Sequence, residues 1–286
     1  MQELAVPMAW PSMKSIPFEF LMVDGTEVKK QGEGGKSEGL MSLRLACAAE
    51  KPGNPFKRIG FWVDQDWVAI RKDLEQRLDY GRLRMLIADG ELSIPVALLT
   101  DRMELQRCVW HGIRDFHFIL YQDKIKGAEQ TPLCEMMKTN PLFRLQRKTL
   151  ETPSEADEAK VRTLMEKIER SFEELLIALP MEKYPKTRGY VTNFMSAGLT
   201  FLRYWLDHHE WLPFTTNGAE SGFSRIVNRI KRVGRRWGDR GLANWLMLAV
   251  RKIFDPAEWE SLWRQYFQLH RSLLLQAFHV DYRWIL

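Results

Sequence analysis

Three carboxylates in this sequence have the residue types and surroundings of metal ligands. Asp24 and Asp89 each follow a short apolar run and precede a glycine, in "FEFLMVDG" and "RLRMLIADG". Glu220 stands near the start of "NGAESGFSRIVNRIKR", a segment with helical periodicity. Carboxylate oxygens are the ligands that Mg²⁺ prefers, and two such ions about 4 Å apart can activate an attacking oxygen and stabilise a leaving one. Two-metal phosphoryl transfer is therefore the chemistry that these residues could carry out.

Each of these carboxylates also has an ordinary structural explanation. Asp-Gly is a favourable turn sequence, so Asp24 and Asp89 could simply end strands. Asn217 and Glu220 have the spacing of a helix cap followed by a glutamate three residues later. Four other aspartates are rival candidates, namely Asp64, Asp66, Asp101 and Asp115. From the residues alone, both explanations stay open.

The segment after Glu220 carries a dense basic face. At 100° per residue, the apolar residues between 223 and 233 form one stripe. Six basic residues lie opposite this stripe or beside that opposite face: Arg225, Arg229, Lys231, Arg232, Arg235 and Arg236. A solvated surface accounts for part of this charge, but its density suits a row of phosphates. We therefore expect these residues to bind the DNA backbone.

The elements that must position these residues are strands early in the chain and helices later. Apolar runs bounded by turn residues predict strands at 18–23, 41–48, 58–63 and 83–88, the first ending at the Asp24-Gly25 turn. Helices are predicted at 66–80, 91–100, 114–125, 154–180, 189–210 and 241–276, while 106–113 is strand or turn. Such an order predicts an α/β or α+β core with a helical insertion before the last carboxylate.

Composition and charge limit the class of protein. The chain has 286 residues, 45% of them hydrophobic, and a formal charge of +5, which permits a polyanionic partner. Three cysteines are too few for a disulfide framework, which favours a reducing compartment. The sequence shows no signal-peptide pattern and no apolar run near the roughly 18 residues of a membrane span. We expect a cytoplasmic protein without a membrane partner.

The order and spacing of these residues resemble those of the Mutator-like DDE transposases of bacterial insertion sequences. Asp24 and Asp89 match the first two catalytic positions, and "CVWH" begins 19 residues after Asp89. A long helical stretch then precedes the segment that holds Glu220. The resemblance covers roughly residues 17–250. It implies a ribonuclease-H-like core with a helical insertion before the last catalytic carboxylate.

The resemblance also implies a role for each matched residue. Asp24, Asp89 and Glu220 match the catalytic triad and would hold two Mg²⁺ ions, with Mn²⁺ able to substitute. Cys108 and His111 match the family's C/D-x2-H pair and are candidate catalytic residues. The implied reaction is hydrolysis at the transposon ends followed by attack of the freed 3′-OH on target DNA, without a covalent protein–DNA intermediate.

The resemblance further predicts domains and partners. Residues 1–125 would form the first part of the catalytic core, 126–214 the helical insertion, and 215–286 the last catalytic helix and the C-terminal helices. Family members usually carry a DNA-binding region before the first aspartate, so we expect a catalytic core without that region. Its partner would be double-stranded DNA at the nucleoid, bound by a homodimer or larger assembly. The alternatives are a non-catalytic DNA-binding remnant and a nuclease of the same fold.

Overall fold

The computed structural model describes residues 11–31, 37–145, 157–220, 224, 226, 228, 239–254 and 256–267. Its strands are β1 (Phe20–Gln31), β2 (Ser37–Ala49), β3 (Lys57–Val63), β4 (Met85–Ala88) and β5 (Glu104–Arg107). Its α-helices are α1 (Trp67–Arg77), α2 (Ser93–Leu98), α3 (Val109–Gln122), α4 (Gln130–Thr139), α5 (Asp157–Ile177), α6 (Pro185–Gly198), α7 (Thr200–His208), α8 (Asp239–Phe254) and α9 (Pro256–Phe267). Two short 3₁₀ helices span Tyr80–Arg82 and Pro141–Arg144.

The five strands form one mixed sheet in the order β3-β2-β1-β4-β5. β1, β4 and β5 are parallel, and β2 and β3 are antiparallel. The N–H of Glu19 donates to the carbonyl of Ala49, so the start of β1 lies beside the end of β2 and these strands also run antiparallel. All four residues of β4 are buried, as expected for a central parallel strand covered on both faces. The predicted mixed α/β class is confirmed.

Side-chain alternation divides β1 between two layers. Leu21 and Val23 belong to a buried apolar cluster that also contains side chains of α1 and α2. Phe20 points the other way, and its ring meets Tyr204 of α7 edge-on at 6.1 Å. Because side chains alternate along a strand with a period of two, Asp24 shares the face of Phe20. Asp24 therefore faces the side of the sheet on which α7 packs.

An aromatic cluster fixes α3 against α6. The ring of Phe194 lies 6.1 Å from those of Phe143 and Phe172 and 6.2 Å from that of Tyr190. A Cβ added to Gly112 of α3 would lie 2.5 Å from the Phe194 ring. Glycine at this position therefore lets the two helices approach closely, and the first turn of α3 is held in place.

The predicted helix at 189–210 is in fact two helices, α6 and α7, which meet at Leu199. The buried side chain of Gln106 in β5 accounts for the break. Its amide donates to the carbonyl of Gly198 at 3.1 Å and accepts from the N–H of Phe201 at 2.6 Å. Backbone groups that the break leaves without helical partners are thus satisfied from the sheet.

Two further predictions were wrong in ways that matter for the site. The first strand does not end at Asp24-Gly25, because β1 continues to Gln31. Gly25 instead permits a close approach, since a Cβ there would lie 2.3 Å from Nη1 of Arg44 on β2. The prediction of strand or turn at 106–113 was wrong from Cys108 onward, because Cys108 caps α3 and Val109 begins it, whereas Gln106 and Arg107 belong to β5. The predicted strands at 41–48 and 58–63 and the helix at 91–100 are confirmed in kind.

The chain divides into two compact units, and the candidate site lies within the first. Among the described residues, the first unit contains 11–27 and 42–220. Among the described residues, the second contains the end of β1 from Val28, the start of β2 up to Met41, and α8 and α9, which contact each other. No helix in the described ranges is long and apolar enough to cross a membrane.

Candidate metal centre

The parallel pairing of β1 with β4 brings two aspartates together. Met22 pairs with Ile87, and the same register continued by two residues sets Asp24 beside Asp89. Asp24 is only 3% exposed, and Asp89, which directly follows β4, is half-buried. Ligands collect at the carboxyl ends of parallel strands, and Asp89 lies at such an end while Asp24 lies beside it within β1.

The first turn of α3 adds a histidine to the aspartate pair. The N–H of Cys108 donates to the carbonyl of Ala88 at 2.7 Å, which seats the start of α3 next to Asp89. His111 then lies over the two carboxylates. One ligand atom from each of Asp24, Asp89 and His111 lies within 4.8 Å of the others. This buried group can hold a metal ion, although its residues do not by themselves determine which metal.

Glu220 reaches the same cluster from a distant segment. Its Oε1 lies 3.4 Å from Nε2 of His111. Two contacts hold the preceding segment against α3: the N–H of Thr216 donates to Sγ of Cys108 at 3.3 Å, and the N–H of Val109 donates to the carbonyl of Phe214 at 2.9 Å. Cys108 thus joins the two segments, and its assignment as a catalytic residue stays a prediction.

The capping explanation for Glu220 does not hold. Residue 217 is already helical, and the carbonyl of Thr216 accepts from the N–H groups of Ala219 and Glu220 at 2.8 and 3.0 Å. Thr216, rather than Asn217, is therefore the cap residue. In a capping box the glutamate would bond the N–H of the cap residue, but that N–H donates to Cys108. The carboxylate of Glu220 faces His111 instead.

Burial and mutual repulsion oppose full ionisation of this cluster. Burial, followed by the carboxylates of Asp89 and Glu220, raises the pKa of Asp24 to about 8. Burial raises the pKa of Asp89 to about 6, although its Oδ1 accepts the N–H of Glu91 at 2.9 Å. Burial and the positive charge of Arg114 lower the pKa of His111 to about 4, so its imidazole is neutral at pH 7. A bound cation would favour the ionised carboxylates.

Arg114 lies beside the carboxylates and was not among the residues predicted from the sequence. Burial opposes its charge, but a hydrogen bond from Nε to Asp115 at 2.9 Å and the negative charges of Asp89 and Glu220 outweigh burial and raise its pKa. It stands three residues after His111, on a neighbouring part of the same helix face. If the sequence analysis had assigned 108–122 to one helix, the spacing from His111 would have identified Arg114 as a neighbour of the site.

The donor set could hold a metal ion and does not select one metal. Carboxylate oxygens are typical ligands of Mg²⁺ and Mn²⁺, and a neutral imidazole is compatible with Mn²⁺ and related metals. Two buried carboxylates that repel each other create the condition that such an ion relieves. Nδ1 of His111 is buried and has no hydrogen-bond partner among the described residues, so the polar groups of this cluster are incompletely satisfied.

The rival aspartates have other surroundings. Asp66 caps α1 through its side chain. Asp64 accepts the N–H of Ser42 at 3.0 Å, and Asp101 is exposed. Asp115 lies near the cluster, where its charge contributes to the raised pKa of Asp89.

The predicted DNA-binding residues lie outside the described residues: Arg225, Arg229, Lys231, Arg232, Arg235 and Arg236. Their role stays a prediction. Three described positions in the same segment agree with its predicted apolar stripe, because Ile226 is buried while Ser224 and Asn228 are exposed.

Neither a scan against protein-family models nor a search of curated proteins finds a match for this chain.

Proposed function

We propose that this chain is the catalytic core of a DDE-type transposase, which cleaves DNA and joins the freed end to a target. One observation carries the proposal. Asp24 and Asp89 lie on adjacent parallel strands, and Glu220, which follows a long helical segment, meets them through His111. These are the three residues whose order suggested a metal-dependent triad, and residues so far apart in sequence have little structural reason to converge as buried or half-buried acids.

The sheet supports the finer fold assignment that belongs to this proposal. A ribonuclease-H-like core has a mixed five-stranded sheet in the order β3-β2-β1-β4-β5 with its second strand reversed. The observed order and strand directions agree with that arrangement. The helices α4 to α7 would be the insertion that separates the second and third carboxylates.

In the proposed mechanism, Asp24, Asp89 and Glu220 would hold two Mg²⁺ ions, for which Mn²⁺ could substitute. When bound, these ions supply Lewis acidity and charge neutralisation at the scissile phosphate. Without metal, the raised pKa of about 8 keeps the Asp24 carboxyl mostly protonated at pH 7, so Asp24 would have to lose this proton in order to hold a cation. His111 is neutral, so its Nε2–H can donate to Oε1 of Glu220 and orient that carboxylate.

The substrate in this proposal is double-stranded DNA, both as transposon ends and as target. Bringing two ends together requires at least two active sites, so we propose a homodimer or larger assembly on DNA. The basic residues between 225 and 236 would bind the phosphate backbone of the DNA. The protein would then be located at the nucleoid.

A cleavage and joining assay tests this function. Plasmid nicking and the joining of a pre-cut 3′-OH end are measured with Mg²⁺ or Mn²⁺ for the wild type and for Asp24→Asn, Asp89→Asn and Glu220→Gln. We expect each substitution to lower both rates about 1,000-fold or more, because residues that act as a unit fail together. Asp101→Asn, which changes an exposed aspartate, is the matched control and should stay active.

Three outcomes would contradict the proposal. Full activity in any of the three variants would remove that residue from the site. Cleavage without joining would indicate a nuclease. DNA binding without either reaction, in a protein that also fails to bind metal, would indicate a non-catalytic DNA-binding protein.

A further inference from the structure

The exposed side of α3 is aromatic, whereas the outer face of a surface helix is normally polar. Trp110, Phe118 and Tyr121 are 57%, 57% and 58% exposed. At 100° per residue, Trp110, Arg114 and Tyr121 lie within about 40° of one another, and Phe118 lies beside them. We refer to these four residues as the aromatic stripe. Exposed aromatic side chains gathered on one side of a helix point to an interaction site.

The aromatic stripe begins at the metal centre. Trp110 directly precedes His111, and Arg114 interacts electrostatically with Asp89 and Glu220. From Trp110 to Tyr121 the helix rises about 16 Å, at 1.5 Å per residue. A polymer whose reacting group sits at the carboxylates could therefore continue along this side of α3.

Basic side chains accompany the aromatic rings. Arg114, Lys124 and Lys126 are exposed, and Nζ of Lys126 lies 4.4 Å from the centroid of the Tyr121 ring. The nearby Asp123 is engaged elsewhere, because its carboxylate accepts N–H groups from the first turn of α6. The surface at this end of the stripe thus combines ring faces with positive charge, which is complementary to a polyanion whose bases are free to stack.

We propose that the aromatic stripe binds an unpaired nucleic-acid strand that leads to or from the metal centre. Bases stack on aromatic side chains without regard to sequence, and adjacent basic groups neutralise the phosphates. In a duplex the bases are already stacked on each other, so exposed ring faces favour an unpaired segment, such as the strand next to a cleaved end. This inference rests on the proposed function, since it takes the metal centre to act on a phosphodiester.

Strand binding can be measured without cleavage. Fluorescence anisotropy of a labelled oligothymidine, and of a duplex of equal length, is recorded in EDTA for the wild type, Trp110→Ala and Tyr121→Ala. Because each variant loses a ring on which one base would stack, it should bind the single strand roughly 10-fold more weakly or worse. Its affinity for the duplex should change much less.

Two further variants serve as controls. Ile177→Ala removes an apolar side chain that is 82% exposed at the end of α5, and it should leave strand affinity unchanged. Trp110→Phe retains a ring and should retain most of the affinity. If Trp110→Ala fails to fold, Tyr121→Ala still tests the stripe, because Tyr121 lies three turns further from the metal centre.

The outcomes separate this inference from the proposed function. Unchanged single-strand affinity in Trp110→Ala and Tyr121→Ala, in a protein that cleaves DNA, would overturn the strand site and leave the proposed function standing. Weaker strand binding by the two variants would support the strand site. If the wild type also shows no metal-dependent cleavage, the proposed function is contradicted while the strand site stands. If the variants change a dimer into a monomer in solution while strand affinity stays constant, the face is a contact between two copies and the inference is wrong.

Discussion

Two carboxylates that follow β4, Asp89 and Glu91, have opposite surroundings although one residue separates them. Glu91 lies among donors: Nη1 and Nη2 of Arg44 are 3.3 Å from its two oxygens, the indole of Trp67 donates at 3.1 Å, and the hydroxyl of Ser93 also donates to it. Asp89 lies in the cluster with Asp24, near other negative charges, and burial raises its pKa to about 6. Glu91 is ion-paired with Arg44, whereas the described residues give Asp89 no ion pair.

The difference separates a carboxylate with partners inside the protein from one in a candidate functional site. Buried polar groups normally find partners within the protein, and even the partly exposed Glu91 finds one in Arg44. The Asp24 cluster holds mutually repelling carboxylates and a histidine whose Nδ1 has no partner among the described residues. Such an arrangement lowers the stability of the metal-free protein, and strongly perturbed groups of this kind gather at functional sites. A bound divalent cation would supply to the cluster the positive charge that Arg44 supplies to Glu91.

Asp24→Asn is expected to cause the largest change, by stabilising the metal-free protein. The folded-state pKa of about 8 lies above the ordinary value of 3.8, so the stability contributed by the bound proton is fully present below pH 3.8 and is lost as the pH rises to about 8. Asparagine carries no charge at any pH. At pH 8 in EDTA, urea denaturation should show a gain of roughly 3–5 kcal/mol over the wild type. Equal stability of the two proteins at pH 8 would contradict the claim that the ionised cluster is unfavourable.

Arg44→Met should have a smaller effect of opposite sign. The substitution leaves Glu91 without its ion pair and removes the guanidinium that lies 5.2 Å from the centroid of the Trp67 ring. Because Glu91 is partly exposed, we expect a loss of about 2 kcal/mol in the free energy of unfolding. Combining Arg44→Met with Glu91→Gln should restore part of that loss. If Arg44→Met alone is as stable as the wild type, the ion pair does not stabilise Glu91, and the difference between the two carboxylates is contradicted.

The affinity for Mn²⁺ should depend on pH through Asp24. One proton must leave this carboxyl before it can bind a cation, so the affinity should rise about tenfold per pH unit up to about pH 8. Below about pH 6 protonation of Asp89 should steepen the dependence. Calorimetry in two buffers of different ionisation enthalpy measures the protons released. An affinity that is constant between pH 6.5 and 8 would exclude Asp24 as a ligand with this pKa.

Tyr190→Phe should have the smallest effect. The hydroxyl of Tyr190 donates to the carbonyls of His111 and Gly112 at 3.3 and 3.2 Å, and the ring stays stacked on Phe194 in the variant. Loss of these long hydrogen bonds should reduce the free energy of unfolding by about 0.5–1 kcal/mol, with Mn²⁺ affinity nearly unchanged. A loss of metal binding as large as in Asp24→Asn would place Tyr190 within the functional cluster.

Parts of this site could be predicted from local sequence, and other parts could not. The strand before Asp89 was recognisable because its residues are apolar and Asp-Gly follows them. The same Asp-Gly signal misled at Asp24, because Gly25 serves the approach of Arg44, which lies on another strand. A contact between distant segments leaves no local pattern.

The helical part of the site shows the same limit. Residues 106–113 contain part of β5 and the cap and first turn of α3. Neither the strand alternation nor the helical periodicity therefore extends far enough within this segment to be recognised. Arg114 was consequently overlooked. The break between α6 and α7 depends on Gln106 of the sheet, which no pattern within 189–210 could indicate.

Calorimetric titration of Mn²⁺ into metal-stripped protein tests the central claim most directly. The wild type should bind, and Asp24→Asn, Asp89→Asn and Glu220→Gln should each bind at least about 10-fold more weakly while remaining folded. Asp101→Asn should match the wild type. Equal binding in all five proteins, or no binding even with a DNA duplex present, would contradict a metal centre built from these three carboxylates.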